Sequence, residues 1–271
     1  MLRTPPGKEV KHPMPDASFL SVQGVSKLFD AGSGAVSAIQ DISFDIPRGA
    51  FVSILGPSGC GKSTLFNIIA GLLPPSRGDV RLEDTSVVGK AGQVGYMLQK
   101  DLLLPWRTIE DNITLGQTLR GVNKQQARAR AARLIDRCGL HGFEKKKPHQ
   151  LSGGMRQRAA LLRTLFTGKD VLLLDEPFGA LDAITRLQLQ QTLVDVWQET
   201  GKTILFVTHD VEEALFLSDE IIVLTARPGR VLARMPISLP RPRTPDMLAA
   251  PELMGLKAQL MGLLLQEVSA S

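Results

Sequence analysis

The stretch FVSILGPSGCGKST, residues 51–64, decides the fold of this 271-residue chain. It begins with the apolar run FVSIL, which is typical of a buried strand, and continues into a glycine-rich loop. The loop has the spacing GxxxxGK[ST] and leads into a helix predicted from about Gly61 to Ala70, which Gly71 ends. A strand, a glycine loop and a helix in this order predict a phosphate-binding loop.

The residue types of this loop suit a nucleoside triphosphate. Its glycines let backbone N–H groups turn toward phosphate oxygens, and the helix directs its positive end at the same phosphates. We expect Lys62 to reach the β- and γ-phosphates and Ser63 to bind Mg²⁺. A glycine turn with a chance lysine is the alternative. The predicted nucleotide-binding residues of the loop are Gly56, Pro57, Ser58, Gly59, Cys60, Gly61, Lys62, Ser63 and Thr64.

Apolar runs alternate with helical segments along the rest of the chain. The runs predicted as strands are 19–25, 36–46, 51–55, 171–174, 203–208 and 220–224. Helical patterns extend from Trp106 to about His149, and a second helix begins at Ser152. A short amphipathic helix is predicted at 252–268. Strands that alternate with helices predict an α/β fold with a largely parallel sheet.

Two carboxylates follow the apolar run 171–174. Asp175 and Glu176 then lie at the carboxyl end of a buried strand, where open α/β sheets bind their ligands. We expect Asp175 to hold Mg²⁺ directly or through water, and Glu176 to polarise the attacking water. The alternative is that Asp175 caps the next segment and Glu176 is solvated. The phosphate loop upstream favours the catalytic interpretation.

Composition narrows the class of protein. Hydrophobic residues make up 43% and charged residues 22%, which excludes a disordered chain, a collagen-like fibre and a disulfide scaffold. Cys60 and Cys138 have no metal-ligand spacing and indicate a reducing compartment. No run approaches the roughly 20 apolar residues of a membrane span, and residues 1–17, with four prolines, are predicted to be a disordered leader. These patterns predict a cytoplasmic protein that meets a membrane only through a partner or its surface.

The stretch LSGGMRQ, residues 151–157, resembles the signature motif of ABC ATPases. Alone, it could be a helix start with Ser152 as the N-cap. The order of motifs matches that family over residues 18–239, the predicted ATP-binding domain, with 240–271 as a C-terminal extension. The resemblance implies the ABC ATPase fold, an α/β fold with a RecA-like, mostly parallel sheet core. It also implies an N-terminal antiparallel β subdomain and an inserted α-helical subdomain at about 100–165.

The resemblance implies roles for single residues. Gln99 resembles the Q-loop glutamine that senses Mg²⁺ and the attacking water, and His209 resembles the switch histidine that touches the γ-phosphate. Asp182 resembles the D-loop aspartate that contacts the opposite subunit. Phe29 stands where this family stacks an aromatic ring on adenine, with burial in the core as the alternative. The expected catalytic residues are Glu176, His209 and Gln99. The expected Mg²⁺ ligands are Ser63, Gln99 and Asp175.

The signature implies a second chain. The phosphate loop and the signature are each a glycine-rich helix start suited to a phosphate, and one nucleotide on one chain needs only the first. The residues expected to bind the ATP of the partner subunit are Ser152, Gly153, Gly154 and Gln157. The resemblance implies a head-to-tail homodimer with two ATP molecules between the subunits.

Further stretches resemble the nitrate/sulfonate/taurine-type importers. They are DLLLPWRT after Gln99, AITR after the D-loop, ARPGR at 226–230 and LPRPR at 239–243. In this family a groove receives a short helix of a membrane permease. Leu103, Leu104 and Trp106 are the predicted permease contacts, with core packing as the alternative.

Taken together, these resemblances imply the ATP-hydrolysing subunit of an importer on the cytoplasmic side of the cell membrane. The solute would be of the nitrate/sulfonate/taurine or thiamine-precursor type, captured by a separate binding protein and passed through a separate permease. The alternative function is a soluble ABC ATPase that acts on nucleic acid or ribosomes. Ser152 lies 90 positions after Lys62, and the segment between them lacks the sustained heptads of a long coiled coil. This absence disfavours the alternative function.

The positive charge of the chain is concentrated in one segment. The whole chain has a formal charge of +5, whereas residues 120–163 contain twelve basic and two acidic residues, a net of +10. We expect this segment to face the permease and an anionic membrane surface, with a solvated helix surface as the alternative. No nucleic acid partner is expected.

Overall fold

The computed structural model describes residues 18–30, 32, 34–244, 247 and 250–269, and the predicted leader at 1–17 lies outside them. The strands are β1 (Ser18–Asp30), β2 (Ala35–Pro47), β3 (Phe51–Leu55), β4 (Arg77–Leu82), β5 (Thr85–Ser86), β6 (Gly95–Met97), β7 (Val171–Asp175), β8 (Thr203–Val207), β9 (Glu220–Leu224) and β10 (Val231–Pro236). The helices are α1 (Lys62–Ile69), α2 (Ile109–Ile113), α3 (Leu115–Leu119), α4 (Lys124–Arg137), α5 (Gly153–Leu165), α6 (Ala183–Thr200), α7 (Val211–Leu217) and α8 (Pro251–Ser269).

The larger sheet has the strand order β10-β9-β3-β8-β7-β6, and all of its strands except β10 pair in parallel. The strands β3, β7 and β8 are buried over their whole length. Their unbroken apolar runs form central strands because both faces of a parallel sheet are covered by other elements. The predicted strands in these three segments are therefore confirmed.

The smaller sheet is antiparallel, with the order β2-β1-β4-β5. Its apolar face packs against the helix α1 and one face of the larger sheet. The shared core includes Leu20 and Ile39 of the smaller sheet, Phe66 of α1 and Ile54 of β3. The hairpin of β1 and β2 is longer than the sequence predicted, and it places β2 behind the loop that follows β3. The predicted N-terminal antiparallel sheet is present.

The helices α2 to α5 cover the β6 edge of the larger sheet. Ile109, Ile135 and Leu162 join a core with Leu172 and Phe206 of the sheet. The N-caps of α4 and α5 explain where these helices begin. The side-chain oxygen of Asn123 accepts a hydrogen bond from the N–H of Gln125, and that of Ser152 accepts one from Met155.

Most basic residues of this helical segment have partners. The carboxylates that pair with these basic residues lie outside residues 120–163, so the charge count over that segment does not include them. The ion pairs are Lys124–Asp111, Arg128–Glu110, Arg128–Asp111, Arg137–Asp195, Arg137–Glu199, Lys145–Glu110 and Arg156–Asp101. Arg120, Arg158 and Arg163 donate to backbone carbonyls. Acidic side chains from distant segments therefore offset part of the +10 charge, and the expectation that this segment faces the permease and an anionic membrane surface stays a prediction.

The C-terminal residues join the same body. Leu253 and Leu260 of α8 pack in a core with Leu215 of α7 and with Met235 of β10. The predicted helix at 252–268 is confirmed and is slightly longer than expected. Among the described residues, none of the helices has both the length and the apolar character needed to cross a membrane.

Arg243 connects this C-terminal segment to the end of α7. Its side chain is 4% exposed, and burial lowers the pKa of its guanidinium to about 10. The guanidinium donates to the carbonyls of Leu215, Phe216, Ser218, Ile237 and Leu239, at 2.6–3.4 Å. One cation therefore satisfies the carbonyl end of α7, which is also the negative end of the helix dipole.

The Arg243→Met variant is expected to lose about 2–4 kcal/mol of unfolding free energy, because several buried carbonyls lose their donor at once. Urea denaturation at pH 7 measures this loss. Arg234→Met is the matched control, since Arg234 forms an ion pair with Glu220 at a side-chain exposure of 41%. An exposed pair contributes at most about 1 kcal/mol. Equal losses in the two variants would contradict the structural role given to Arg243.

Candidate functional site

The loop between β3 and α1 has the geometry of a phosphate-binding loop. Gly59 and Gly61 have φ of +77° and +103°, the left-handed region that favours glycine. A Cβ at Gly61 would lie 2.4 Å from Cγ2 of Ile39, so the loop lies directly against β2. The Nζ of Lys62 donates to the carbonyls of Gly56 and Pro57 at 2.7 and 2.9 Å. The lysine therefore curls back over the loop.

Ser63 and Asp175 meet at the start of α1, as the sequence predicted for two Mg²⁺ ligands. The hydroxyl of Ser63 donates to Oδ2 of Asp175 at 2.9 Å, and Asp175 is 4% exposed. Burial raises the pKa of Asp175, and the hydrogen bond from Ser63 lowers it. Oxygen donors of this kind suit Mg²⁺, which usually keeps water and substrate phosphate among its ligands. The two side chains fit the ion.

Gln99, Glu176 and His209 follow three neighbouring parallel strands and converge at their carboxyl ends. The Nε2 of Gln99 donates to Oε2 of Glu176 at 3.1 Å, and Nδ1 of His209 lies 3.7 Å from Oε1 of Glu176. Glu176 has φ of +48°, and its N–H donates to the carbonyl of Val207 at 2.9 Å. This turn holds the carboxylate between the amide and the imidazole.

The loop at 226–230 contributes to the site in a way that the sequence did not predict. The N–H of Gly229 donates to the carbonyl of Ala38, and the N–H of Gln40 donates to the carbonyl of Gly229. A Cβ at Gly229 would lie 2.1 Å from the carbonyl oxygen of Cys60. This loop therefore touches the phosphate loop from behind. The only sequence signal was the ARPGR stretch, which gives no indication of its neighbours.

Cys60 is fully buried within the phosphate loop. Its Sγ lies 3.8 Å from Nζ of Lys62. Burial raises the pKa of the thiol, and Lys62 opposes this shift. The protonated thiol therefore packs as a small apolar group that supports the loop.

The signature residues divide between two surfaces. Ser152 and Gly153 are exposed at the start of α5. Gln157 is 6% exposed, and its Nε2 lies 3.5 Å from the backbone carbonyl of Glu176 in the same chain. The prediction that Gln157 binds the partner's ATP is therefore wrong, because five residues along a helix rotate it from the outer face to the inner one.

Phe29 and Asp182 lie at exposed positions. Phe29, near the end of β1, is 38% exposed, and Nζ of Lys27 lies 5.3 Å from the centre of its ring. The alternative of a buried phenylalanine is excluded. Asp182 caps α6 by accepting a hydrogen bond from the N–H of Thr185 at 3.0 Å, which lowers the pKa of its carboxyl. Adenine stacking by Phe29 and subunit contact by Asp182 stay predictions.

The predicted permease contacts need one correction. Trp106 is 70% exposed and Leu104 is partly exposed, but Leu103 is 7% exposed and packs in the core. Leu102, with φ of +43° and an exposure of 52%, turns the chain so that Leu103 points inward. Arg163 donates to the carbonyl of Leu102 at 2.7 Å and holds this turn. We call Leu102, Leu104 and Trp106 the apolar surface patch.

The site combines a phosphate-binding loop, an oxygen pair suited to Mg²⁺ and a carboxylate that lies between an amide and an imidazole. This combination defines a nucleoside triphosphatase. A family model described as ABC transporter matches residues 39–179. The taurine import ATP-binding protein TauB of Rhizobium johnstonii is 48% identical over 82% of this chain and 85% of that protein. TauB of Escherichia coli is 45% identical over 80% of this chain and 85% of its own length. The dimeric ATP-binding cassette MJ0796 bound to ADP and Pi has a TM-score of 0.74 at 31% identity, over 80% of this chain and 98% of that one.

The chain belongs to the ABC transporter family, and it is an ATP-binding subunit that hydrolyses ATP to drive transport. The predicted ABC ATPase fold is confirmed by the similarity to MJ0796. The predicted membership in the nitrate/sulfonate/taurine-type importers is confirmed by the TauB relatives. The alternative of a soluble ATPase acting on nucleic acid or ribosomes has no support among these relatives. As a subunit of a transporter, the chain works with transmembrane partners.

Proposed function

We propose that Glu176 polarises the water that attacks the γ-phosphate of ATP. The observation that carries this assignment is the contact of Glu176 with both Gln99 and His209, next to the pair of Ser63 and Asp175. A carboxylate that accepts a hydrogen bond at one oxygen and lies beside an imidazole at the other has a restricted direction, which a water-orienting group requires. Gln99 orients the carboxylate, and His209 supplies a donor toward the γ-phosphate.

The remaining side chains of the site bind and orient the triphosphate. Lys62 and backbone N–H groups of the phosphate loop would contact the phosphates. Ser63 and Asp175 would hold Mg²⁺, which neutralises charge on the phosphate oxygens. Asp175 is buried, so a nearby cation would offset the free-energy cost of keeping its carboxylate charged away from water. Phe29 receives the adenine ring on its exposed face.

Two chains would form the complete site as a head-to-tail homodimer. Ser152, Gly153 and Gly154 would bind the ATP held by the partner's phosphate loop. Ser152 and Gly153 are exposed at the positive end of the 13-residue helix α5, which supports an anion-binding role between subunits. The similar cassette MJ0796 is dimeric. Asp182, exposed at the start of α6, would contact the second copy.

The transported solute would be taurine or a similar small sulfonate. The relatives named taurine import ATP-binding proteins, at 45–48% identity, support this choice over nitrate and thiamine precursors. The chain would lie on the cytoplasmic side of the membrane against its permease, and a separate binding protein would deliver the solute. We expect no nucleic acid partner, because eight of the twelve basic residues of the helical segment already donate to carboxylates or backbone carbonyls of the same chain.

Uptake into proteoliposomes tests the solute and the direction of transport. The complex of this chain with its permease, supplied with the binding protein and with internal ATP, is expected to accumulate labelled taurine and not labelled nitrate. The Glu176→Gln complex is the control for ATP-driven uptake. Accumulation of nitrate instead of taurine would contradict the choice of solute but not the assignment of the hydrolytic site.

The Trp106→Ala variant is expected to lower uptake by about 10-fold or more while basal ATP hydrolysis of the isolated chain changes less than about twofold. An exposed tryptophan in an apolar patch is typical of an interface anchor, and such anchors contribute about 2 kcal/mol or more. Leu72→Ala is the control, since Leu72 is 57% exposed but lies after α1, outside the patch. Equal losses of uptake and hydrolysis in Trp106→Ala would indicate a packing role.

A further inference from the structure

Arg186 joins the start of α6 to the segment that carries His209. Its Nη2 donates to the carbonyl of Leu181 at 3.3 Å, just before Asp182. On its other side, Nη1 lies 3.6 Å from Oδ2 of Asp210, and Nε lies 3.6 Å from Oε1 of Glu213. One guanidinium therefore contacts two loops that the backbone leaves separate.

The acidic partners of Arg186 are fixed to the residues on both sides of His209. Glu213 is 7% exposed, and Oε2 of its carboxylate accepts a hydrogen bond from the hydroxyl of Thr208 at 2.6 Å. The N–H of Asp210 donates to the same hydroxyl, and the carboxylate of Asp210 caps α7. His209 stands between Thr208 and Asp210, so its backbone is held by this network.

The positive charge of Arg186 is unfavourable at the start of α6, and the carboxylates of Asp210 and Glu213 offset this cost. A cation in the first turn of a helix lies at the positive end of the dipole, where acidic residues are favoured. Arg186 is about two-thirds buried, and its Nε is a buried donor with no hydrogen bond to a described residue. Burial also raises the pKa of Glu213, so the Glu213 carboxylate benefits from the nearby guanidinium.

We propose that Arg186 is a positioning residue for His209, and that it transmits the position of residues 179–182 to the imidazole beside Glu176. This inference deepens the proposed function and rests on it. The path has four contacts. The carbonyl of Leu181 contacts Arg186, Arg186 contacts the carboxylates of Asp210 and Glu213, and Glu213 contacts Thr208. When α6 shifts, His209 moves with it, and the distance to Glu176 changes.

The test compares kcat, KM and ATP affinity in variants of the full chain. Arg186→Met is expected to lower kcat about 10- to 100-fold, because small displacements of a group in the reacting geometry have effects of this size. The dissociation constant of a fluorescent ATP analogue is expected to change less than about twofold, since Arg186 contacts no residue of the phosphate loop. Arg186→Lys is expected to recover part of kcat, because an ammonium can still reach one carboxylate.

Two further variants show whether the effect follows the proposed path. Glu213→Gln keeps the shape of the side chain and removes its charge, and it is expected to lower kcat as well. Its combination with Arg186→Met is expected to lower kcat no further than Arg186→Met alone, which is the sign of one shared network. Gln188→Ala, at an exposed position two residues further along α6, is the control and is expected to leave kcat and KM unchanged.

The inference is overturned if Arg186→Met keeps kcat within about twofold of wild type. It is also overturned if ATP affinity falls in parallel with kcat, because that result assigns Arg186 a structural role only. If Arg186→Met does not fold, Glu213→Gln provides the same comparison of kcat with ATP affinity. A parallel Glu176→Gln variant distinguishes a failure of the role given to Arg186 from a failure of the proposed hydrolytic site. Loss of turnover there with normal turnover in Arg186→Met refutes only the role of Arg186, whereas normal turnover in Glu176→Gln refutes the proposed site.

Discussion

The Glu176→Gln variant is expected to hydrolyse ATP about 10²–10⁴-fold more slowly than the wild-type chain while it still binds ATP. Glutamine has the same shape as glutamate but cannot accept the proton of the attacking water. Glu176 contacts Gln99 and His209, whereas Lys62 and Ser63 of the phosphate loop have other partners, so the nucleotide is held as before. Phosphate release measures turnover, and a fluorescent ATP analogue measures binding.

The same variant also tests the homodimer. If two chains enclose ATP, blocked hydrolysis keeps them closed, and gel filtration with ATP is expected to show a dimer that ADP does not produce. Glu83→Gln is the control, because Glu83 is exposed and pairs with Arg48 in the N-terminal sheet. Undiminished turnover in Glu176→Gln would refute its catalytic role. A monomer in the presence of ATP would count against the head-to-tail assembly.

The Gly229→Ala variant is expected to bind ATP about 10- to 100-fold more weakly than wild type. A Cβ there would lie 2.1 Å from the carbonyl oxygen of Cys60, so the phosphate loop or the 226–230 loop must move. The loop at 226–230 is fixed to β2 by two backbone hydrogen bonds at Gly229, so much of the displacement falls on the phosphate loop. Overpacking of this kind costs about 1–3 kcal/mol.

The backbone of Gly229 lies outside the positive-φ region, so the effect comes from contact and not from conformational strain. Gly255→Ala is the matched control, since a Cβ at Gly255 in α8 meets nothing within 4 Å. Isothermal calorimetry measures ATP affinity, and thermal unfolding reports how much of the cost appears as lost stability. Wild-type affinity and stability in Gly229→Ala would show that the contact does not shape the loop.

The catalytic cluster could be predicted from the sequence because it depends on strand order and local patterns. Glu176 and His209 follow the apolar strands β7 and β8, and parallel strands bring their carboxyl ends to one edge. Gln99 follows the short strand β6, and only its resemblance to the Q-loop glutamine placed it in this cluster. The pair of Ser63 and Asp175 follows from the same rule. The strands β3, β7 and β8 were predictable because their apolar runs are unbroken. These features need only information that lies within a few residues of each motif.

The features that the sequence did not predict depend on tertiary contacts or on single backbone angles. Leu103 points inward because of the positive φ at Leu102, which an apolar run does not reveal. The contact of Gly229 with Cys60 joins residues 169 positions apart in the sequence. The short strands β5 and β6 have two and three residues, too few for a pattern. The edge strand β10 alternates between less and more exposed positions, but its sequence VLARMP does not alternate in polarity, because Leu232 is apolar and exposed.

The support of the phosphate loop by Gly229 has a consequence for the synthesis of the chain. Ribosomes make the phosphate loop about 170 residues before the segment that lies against Cys60. Synthesis at roughly 5–20 residues per second separates the two events by about ten seconds or more. During that interval the nascent chain carries a phosphate loop that still lacks its support from Gly229.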